Sequence, residues 1–202
     1  MRLSLNKNSL KRERDHLTMY QRFLPSLDLK RQQLLTAHKA AQQAHAELES
    51  RADQQQQSLE RVLPLLGSST VDLEQLKQLV KVRDVSIETE NIVGAYVPRL
   101  HSMEIDQASY SRLTLPFWVD QLMVSLEQTI RLNVELQISH ERVRVLAAAA
   151  RKITQRVNLF EKVLIPQAHA NIRRIGIALS DQERASVVRS KLAKKKQKQS
   201  EY

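Results

Sequence analysis

The chain has 202 residues, with three glycines, five prolines and no cysteine, which excludes disulfide scaffolds and thiolate metal centres. So few turn formers, with aromatics at only 4 %, also exclude a loop-rich fold or an aromatic-cored globule. The formal charge is +10, and helix formers (Leu, Ala, Gln, Lys, Arg, Glu) dominate, so the sequence reads as long helices.

Residues 1–8 are a polar lead-in without a long apolar run, so no secretory signal is expected there. Asn8 or Ser9 can cap the first helix, expected over 9–63. From there residues recur at alternating steps of three and four: Glu13, Leu17, Tyr20, Leu24, Leu27, Arg31, Leu34, His38, Ala41, His45, Leu48, Ala52, Gln55, Leu59, Val62 and Leu66. That spacing keeps one narrow stripe facing a partner helix, as in a coiled coil. Arg31, His38, His45 and Gln55 interrupt the stripe, and polar seam residues fix register at a cost in stability. Pro25 removes one backbone hydrogen bond and crowds the carbonyl of Gln21, which predicts a kink or a short break.

Residues 64–115 read as a small middle cap. Pro64 and Gly67-Ser68-Ser69-Thr70 stop the helix, and Thr70 or Asp72 can start a short one using Val71, Leu73, Leu76, Leu79 and Val80. Asp84–Glu90 then alternates with period two, Asn91-Ile92-Val93-Gly94 supplies turn chemistry, and Ala95–Leu100 follows as a second strand. A β-hairpin is therefore expected at about 84–100. An isolated hairpin is marginal in water, so it must lean on the helices or on another protein. Residues 101–115 read as polar and irregular, and Phe117 and Trp118 as a hydrophobic plug at the base of the helices.

The second long helix is expected over 116–193, with a frayed basic tail at 194–202. Its seam runs Leu132, Leu136, Ser139, Val143, Leu146, Ala150, Ile153, Val157, Phe160, Leu164. Beyond Pro166 the old phase fails, falling on Gln167, Asn171 and Arg174. A shifted phase through Ala168, Ile172, Ile175 and Leu179 is wholly apolar. Consecutive steps of four at Leu164, Ala168 and Ile172 are a stutter, which locally unwinds a supercoil, and Pro166 deletes a backbone bond at the same place. At 1.5 Å per residue the two helices would span about 80 and 110 Å. A parallel pair would require the ~50-residue insert to run back along the whole rod, whereas it can instead form a small cap at one end, so an antiparallel pair within the chain is expected. The fold class is all-α: a long antiparallel two-helix coiled coil with a small cap holding a short helix and a β-hairpin.

No catalytic, cofactor or metal constellation is expected, since phosphate loops, zinc-binding helices and nucleophile elbows are missing from the pattern. His38 and His45 are seven residues apart on the seam and read as polar interruptions. No stretch is apolar enough to span a bilayer. The basic charge fits either a solvated rod or a nucleic-acid partner, but interleaved aromatics are lacking. A structural or adaptor coiled coil and a basic nucleic-acid-binding coiled coil are the readings that compete with the one below.

Arg156-Val157-Asn158-Leu159-Phe160-Glu161-Lys162-Val163-Leu164-Ile165-Pro166 resembles the carboxy-terminal signature of the D subunit of the vacuolar-type and archaeal-type rotary ATPases. Asn91-Ile92-Val93-Gly94-Ala95-Tyr96-Val97-Pro98 resembles that family's hairpin, and Leu29-Lys30-Arg31-x-x-Leu34 its amino-terminal helix. Pro25, Gln32 or Gln33, and Ala95 depart from the family pattern, which suggests a divergent bacterial member. The resemblance implies a non-catalytic central-stalk rotor subunit, cytoplasmic and peripheral to the membrane. It would couple ATP hydrolysis or synthesis in a catalytic hexamer to proton or sodium transport. It implies partners in the catalytic and non-catalytic nucleotide-binding subunits, the small F subunit of the central stalk, and a cup-shaped subunit linking to the membrane ring. It implies no nucleic acid, membrane insertion, cofactor or metal. On this reading Arg156, Asn158, Glu161, Pro166, Ile172 and Ile175 would contact the hexamer, and Ile92, Gly94, Tyr96, Val97 and Pro98 would form the partner-binding cap.

Overall fold

A computed structural model describes residues 3–60, 80–107 and 118–200. In chain order these form α1 (Lys7–Glu60), β1 (Val80–Ile92), β2 (Ala95–Gln107), α2 (Trp118–Leu159), a π-helical turn (Phe160–Leu164) and α3 (Ile165–Ser200). The seam positions Val62 and Leu66, the short helix expected near residue 71, and Phe117 fall outside the described residues, while Val80 opens a strand. Backbone packing divides the chain into two units: residues 32–151, and residues 1–31 with 152–202.

In the unit formed by 32–151, α1 and α2 run antiparallel. The His45 and His140 rings lie 5.7 Å apart, and the Gln55 side-chain amide donates to the Ser125 carbonyl at 3.2 Å. The seam explains the packing. Leu34 and Ala41 of α1 and Leu146 and Ala150 of α2 are buried, and the interrupting His38, His45 and Gln55 are partly shielded. At one end Trp118, Val119, Leu122 and Met123 close over Val80, with Leu59, Ile105, Leu126 and Ile130 against them. Trp118 is thus the plug its sequence position predicts.

The hairpin is longer than the expected 84–100. Both strands have 13 residues, and the pairing runs from Val80–Gln107 to Ile92–Ala95. Residues 101–107 are strand, not irregular chain. Bulges account for the difference. Arg83 and His101 are extra residues in the register, and each flips the period-two pattern by one.

In the unit formed by 1–31 and 152–202, α1 begins two residues earlier than expected, capped by Asn6 rather than Asn8 or Ser9. The Ser9 amide donates to Asn6 Oδ1 at 2.7 Å, and the Leu10 amide to the Asn6 carbonyl at 3.0 Å. Pro25 does not break α1, which is continuous to Glu60. It sits at an exposed position, where the orphaned Gln21 carbonyl can turn to water. α3 continues to Ser200, across the residues expected as a frayed tail.

The stutter becomes the π-helical turn. Phe160, Leu164, Ala168 and Ile172 are spaced by fours, one residue more than the seven-residue repeat allows. A π turn adds one residue to a helical turn and absorbs that surplus. The Ile165 amide reaches back five residues to the Phe160 carbonyl. The wide turn also relieves the crowding that Pro166 would impose on Lys162 in a regular helix. Beyond it, Ala168 and Ile175 are buried in the shifted phase.

Candidate partner-binding surfaces

The hairpin presents two chemically different faces. Paired residues share a face, so Ile92–Ala95 and Glu90–Val97 lie on one side, and Asn91–Tyr96, Thr89–Pro98 and Ile87–Leu100 on the other. Near the turn the first face packs inward: Ala95 and Val97 are buried, and Arg142 of α2 pairs with Glu90 at 2.9 Å. The second face looks outward there, leaving Tyr96 67 % exposed and Ile87 53 % exposed. Of the five cap residues named from the sequence, Tyr96 and Gly94 are exposed, Ile92 and Pro98 half-buried, and Val97 fully buried. Val97 therefore supports this surface from within and offers no side chain to a partner. Ile87 and Val82 are exposed apolar residues that sequence reading missed, because a bulged strand hides which face each residue takes.

The turn itself is strained. Val93 has φ 52° and Gly94 φ 87°, both left-handed. Glycine tolerates this, but a β-branched residue does so only under constraint. The Asn91 side chain supplies one, accepting from the Gly94 amide at 2.8 Å.

The second surface surrounds the π-helical turn. Tyr20 of α1 meets Phe160 edge-on at 5.4 Å, and the Asn171 amide donates to Glu13 at 3.2 Å. The polar seam residue Glu13 thereby finds a partner on α3. Arg156, Glu161 and Pro166 are exposed and Asn158 is half-buried. Ile172 lies half-buried in the seam, and Ile175 has no exposure. Ile175 thus cannot touch a partner directly; its burial positions the helix. On one side of the seam a cleft of about 490 Å³ opens between Leu10, Lys11, Arg14, Gly176, Leu179 and Ser180. Gly176 helps to open it, since a Cβ there would meet nothing within 4 Å.

Arg144 donates twice to Glu141, at 2.7 and 2.6 Å, and these bonds hold the Glu141 carboxyl below its ordinary value. Among the described residues, no cluster of three or more His, Asp or Glu could hold a metal ion, and no helix is long and apolar enough to cross a membrane.

Residues 9–195 match the family described as the ATP synthase D subunit. The chain belongs to that family. It is 36 % identical over 193 residues to the V-type ATP synthase D subunit of Borreliella burgdorferi, covering 96 % of this chain and 94 % of that protein. The corresponding D subunits of Chlamydia muridarum and Chlamydia pneumoniae are 32 % and 30 % identical over 194 and 198 residues. Those matches cover 96 % and 97 % of this chain, and 95 % and 93 % of the relatives. Membership of this family makes the chain one component of a rotary ATPase.

Proposed function

We propose that the chain is the central-stalk rotor of a V/A-type ATPase or ATP synthase. It carries no catalytic residues. Its helix pair is the axle within the hexamer of nucleotide-binding subunits, and its hairpin end meets the small F subunit and the cup-shaped subunit on the membrane ring. Torque passes through a stiff helix pair, so ATP turnover and proton or sodium movement are coupled mechanically in the soluble sector.

One observation carries the reading: a seam that stays shielded along α1 from Glu13 to Leu59, with its partner changing phase at a π-helical turn. A long seam gives torsional stiffness. A phase change alters the side chains presented around the axis, which an axle that treats successive catalytic interfaces differently requires. A generic spacer needs neither this turn nor an outward-facing apolar hairpin.

The test is co-expression with the other soluble subunits of the same operon, followed by purification through a tag on this chain. A small partner and a nucleotide-binding hexamer are expected to co-purify. Recovery of the tagged chain alone would sink the rotor reading.

A further inference from the structure

In the unit formed by 32–151, the two helical seams turn polar at the same level. On α1 the interruption is His45. On α2 it is Ser139, the one polar residue in the seam from Leu132 to Leu164, with His140 next to it. The His45 and His140 rings lie 5.7 Å apart, with their planes tilted by 55°. Polar seam residues cost stability, so two at one level call for a reason. Contact between the imidazoles covers part of the ring surface but leaves one atom unsatisfied. His45 Nδ1 is buried and has no hydrogen-bond partner. A buried nitrogen in that state costs free energy unless a proton donor or a cation takes its lone pair.

The other nitrogen of the same ring has a partner. Glu49 Oε1 lies 3.4 Å from His45 Nε2, and the His45 side chain is only 18 % exposed. The carboxylate favours the proton on Nε2, which leaves the Nδ1 lone pair bare. A metal-ligating histidine is arranged in this way, with one nitrogen on the ion and the other turned to a carboxylate. His140 is exposed and makes no hydrogen bond among the described residues, so none is lost when its ring turns. Two imidazoles that share a zinc ion at about 2.0–2.1 Å keep their ring centres roughly 5–6 Å apart. The observed spacing falls in that range, so the helices need not move. The arginines nearest His140 are engaged elsewhere: Arg142 pairs with Glu90 at 2.9 Å and Arg144 with Glu141 at 2.6 Å. Each is balanced by a carboxylate, so neither opposes a bound cation with its full charge.

We propose that His45 and His140 form a two-histidine site for a divalent transition metal ion of the zinc class, which clips α1 to α2. Imidazole nitrogen suits zinc, copper, nickel or cobalt, whereas magnesium and calcium take oxygen ligands. With two protein ligands, water fills the remaining positions from the exposed His140 side. Glu49 is a positioning residue that orients His45. The bound ion fixes the register of the helix pair where both seams lose their apolar residues. The site goes beyond the rotor reading and stands or falls apart from it.

The experiment uses the full chain on a tag without histidine, stripped of metal with EDTA. Zinc chloride is titrated by isothermal calorimetry, and the thermal midpoint is followed by circular dichroism. The wild type is expected to bind one ion per chain in the micromolar range. Saturating zinc is expected to raise its midpoint by several degrees, because only the folded chain brings the two rings together. His140→Gln, at an exposed position, is expected to keep the metal-free midpoint and weaken zinc binding at least tenfold. Glu49→Gln is expected to weaken it about tenfold through its hold on His45. His38→Gln, and His101→Gln on the hairpin beside Glu88, leave the pair intact and are expected to change it less than twofold. Copper(II) in place of zinc reads the ligands directly: electron paramagnetic resonance is expected to show two imidazole nitrogens in the wild type and one in His140→Gln. Magnesium chloride is expected to leave the midpoint unchanged. Zinc affinity no better than millimolar in the wild type, or equal affinity in His140→Gln, overturns the proposal. Loss of zinc in His38→Gln or His101→Gln assigns the ion to another histidine and overturns it too.

Discussion

The two described glycines should respond to the same substitution with opposite signs. Gly176 lies inside α3 with open space where a Cβ would go, so alanine removes the conformational cost of glycine without a clash. Gly176→Ala is expected to stabilise the chain by about 0.5–1 kcal/mol. Gly94 sits at φ 87°, where a side chain is strained whatever the space, so Gly94→Ala should destabilise by roughly 1–2 kcal/mol. Beside it, Val93→Asn replaces a β-branched residue with one that tolerates φ 52°, and a gain of about 1 kcal/mol is expected. Urea midpoints at constant m-value check all three. The turn residues were legible in the sequence as Asn91-Ile92-Val93-Gly94, yet the strain was not. Nothing in the pattern says that Val93, rather than a neighbour, takes the left-handed position until the pairing of Ile92 with Ala95 is known.

At the scale of elements, the helices were more legible than the strands, for a physical reason. A seam repeats over many turns, so chance matches are outvoted: every α1 seam position named from Glu13 to Leu59 is at least partly shielded. The hairpin has no such redundancy, and two bulges reverse its alternation, so the far half of β2 did not read as strand. The candidate site was legible in part. Pro166 and the surplus residue pointed to an irregularity, but its form as a π turn depended on backbone geometry. These two causes can be separated. If the surplus residue holds the turn, Pro166→Ala leaves it in place and changes stability by less than about 1 kcal/mol, because the wide turn already relieves the ring. If proline alone forced it, alanine would restore a regular helix and recover the ~3 kcal/mol an interior proline costs. The small value is expected, read from guanidinium denaturation. A gain near the larger one would assign the turn to Pro166.

For the molecule as a whole, folding and torque should fail at different truncation points. In α3, Leu179 and Ser180 are partly shielded, whereas every side chain described from Asp181 to Lys196 is exposed. Ending the chain after Glu183 therefore removes no buried surface of its own. The thermal midpoint is expected to move by no more than a few degrees, while on the proposed rotor role torque from the reconstituted enzyme falls with loss of the basic helix end. Ending the chain before Ile172 is different. It removes the shielded side chains of Ile172, Ile175 and Leu179. Burying an isoleucine of this kind is worth several kcal/mol, so a large loss of stability is expected in the unit built from 1–31 and 152–202. The hairpin and the Trp118 cluster belong to the other unit, so both truncations should still recover the small partner. Scanning calorimetry and pull-down read the first two quantities, and single-molecule rotation reads the third. If the shorter truncation keeps full torque, the exposed helix end beyond Glu183 has no part in coupling. If either truncation loses the small partner while Trp118 stays packed, the assignment of that partner to the hairpin end is wrong.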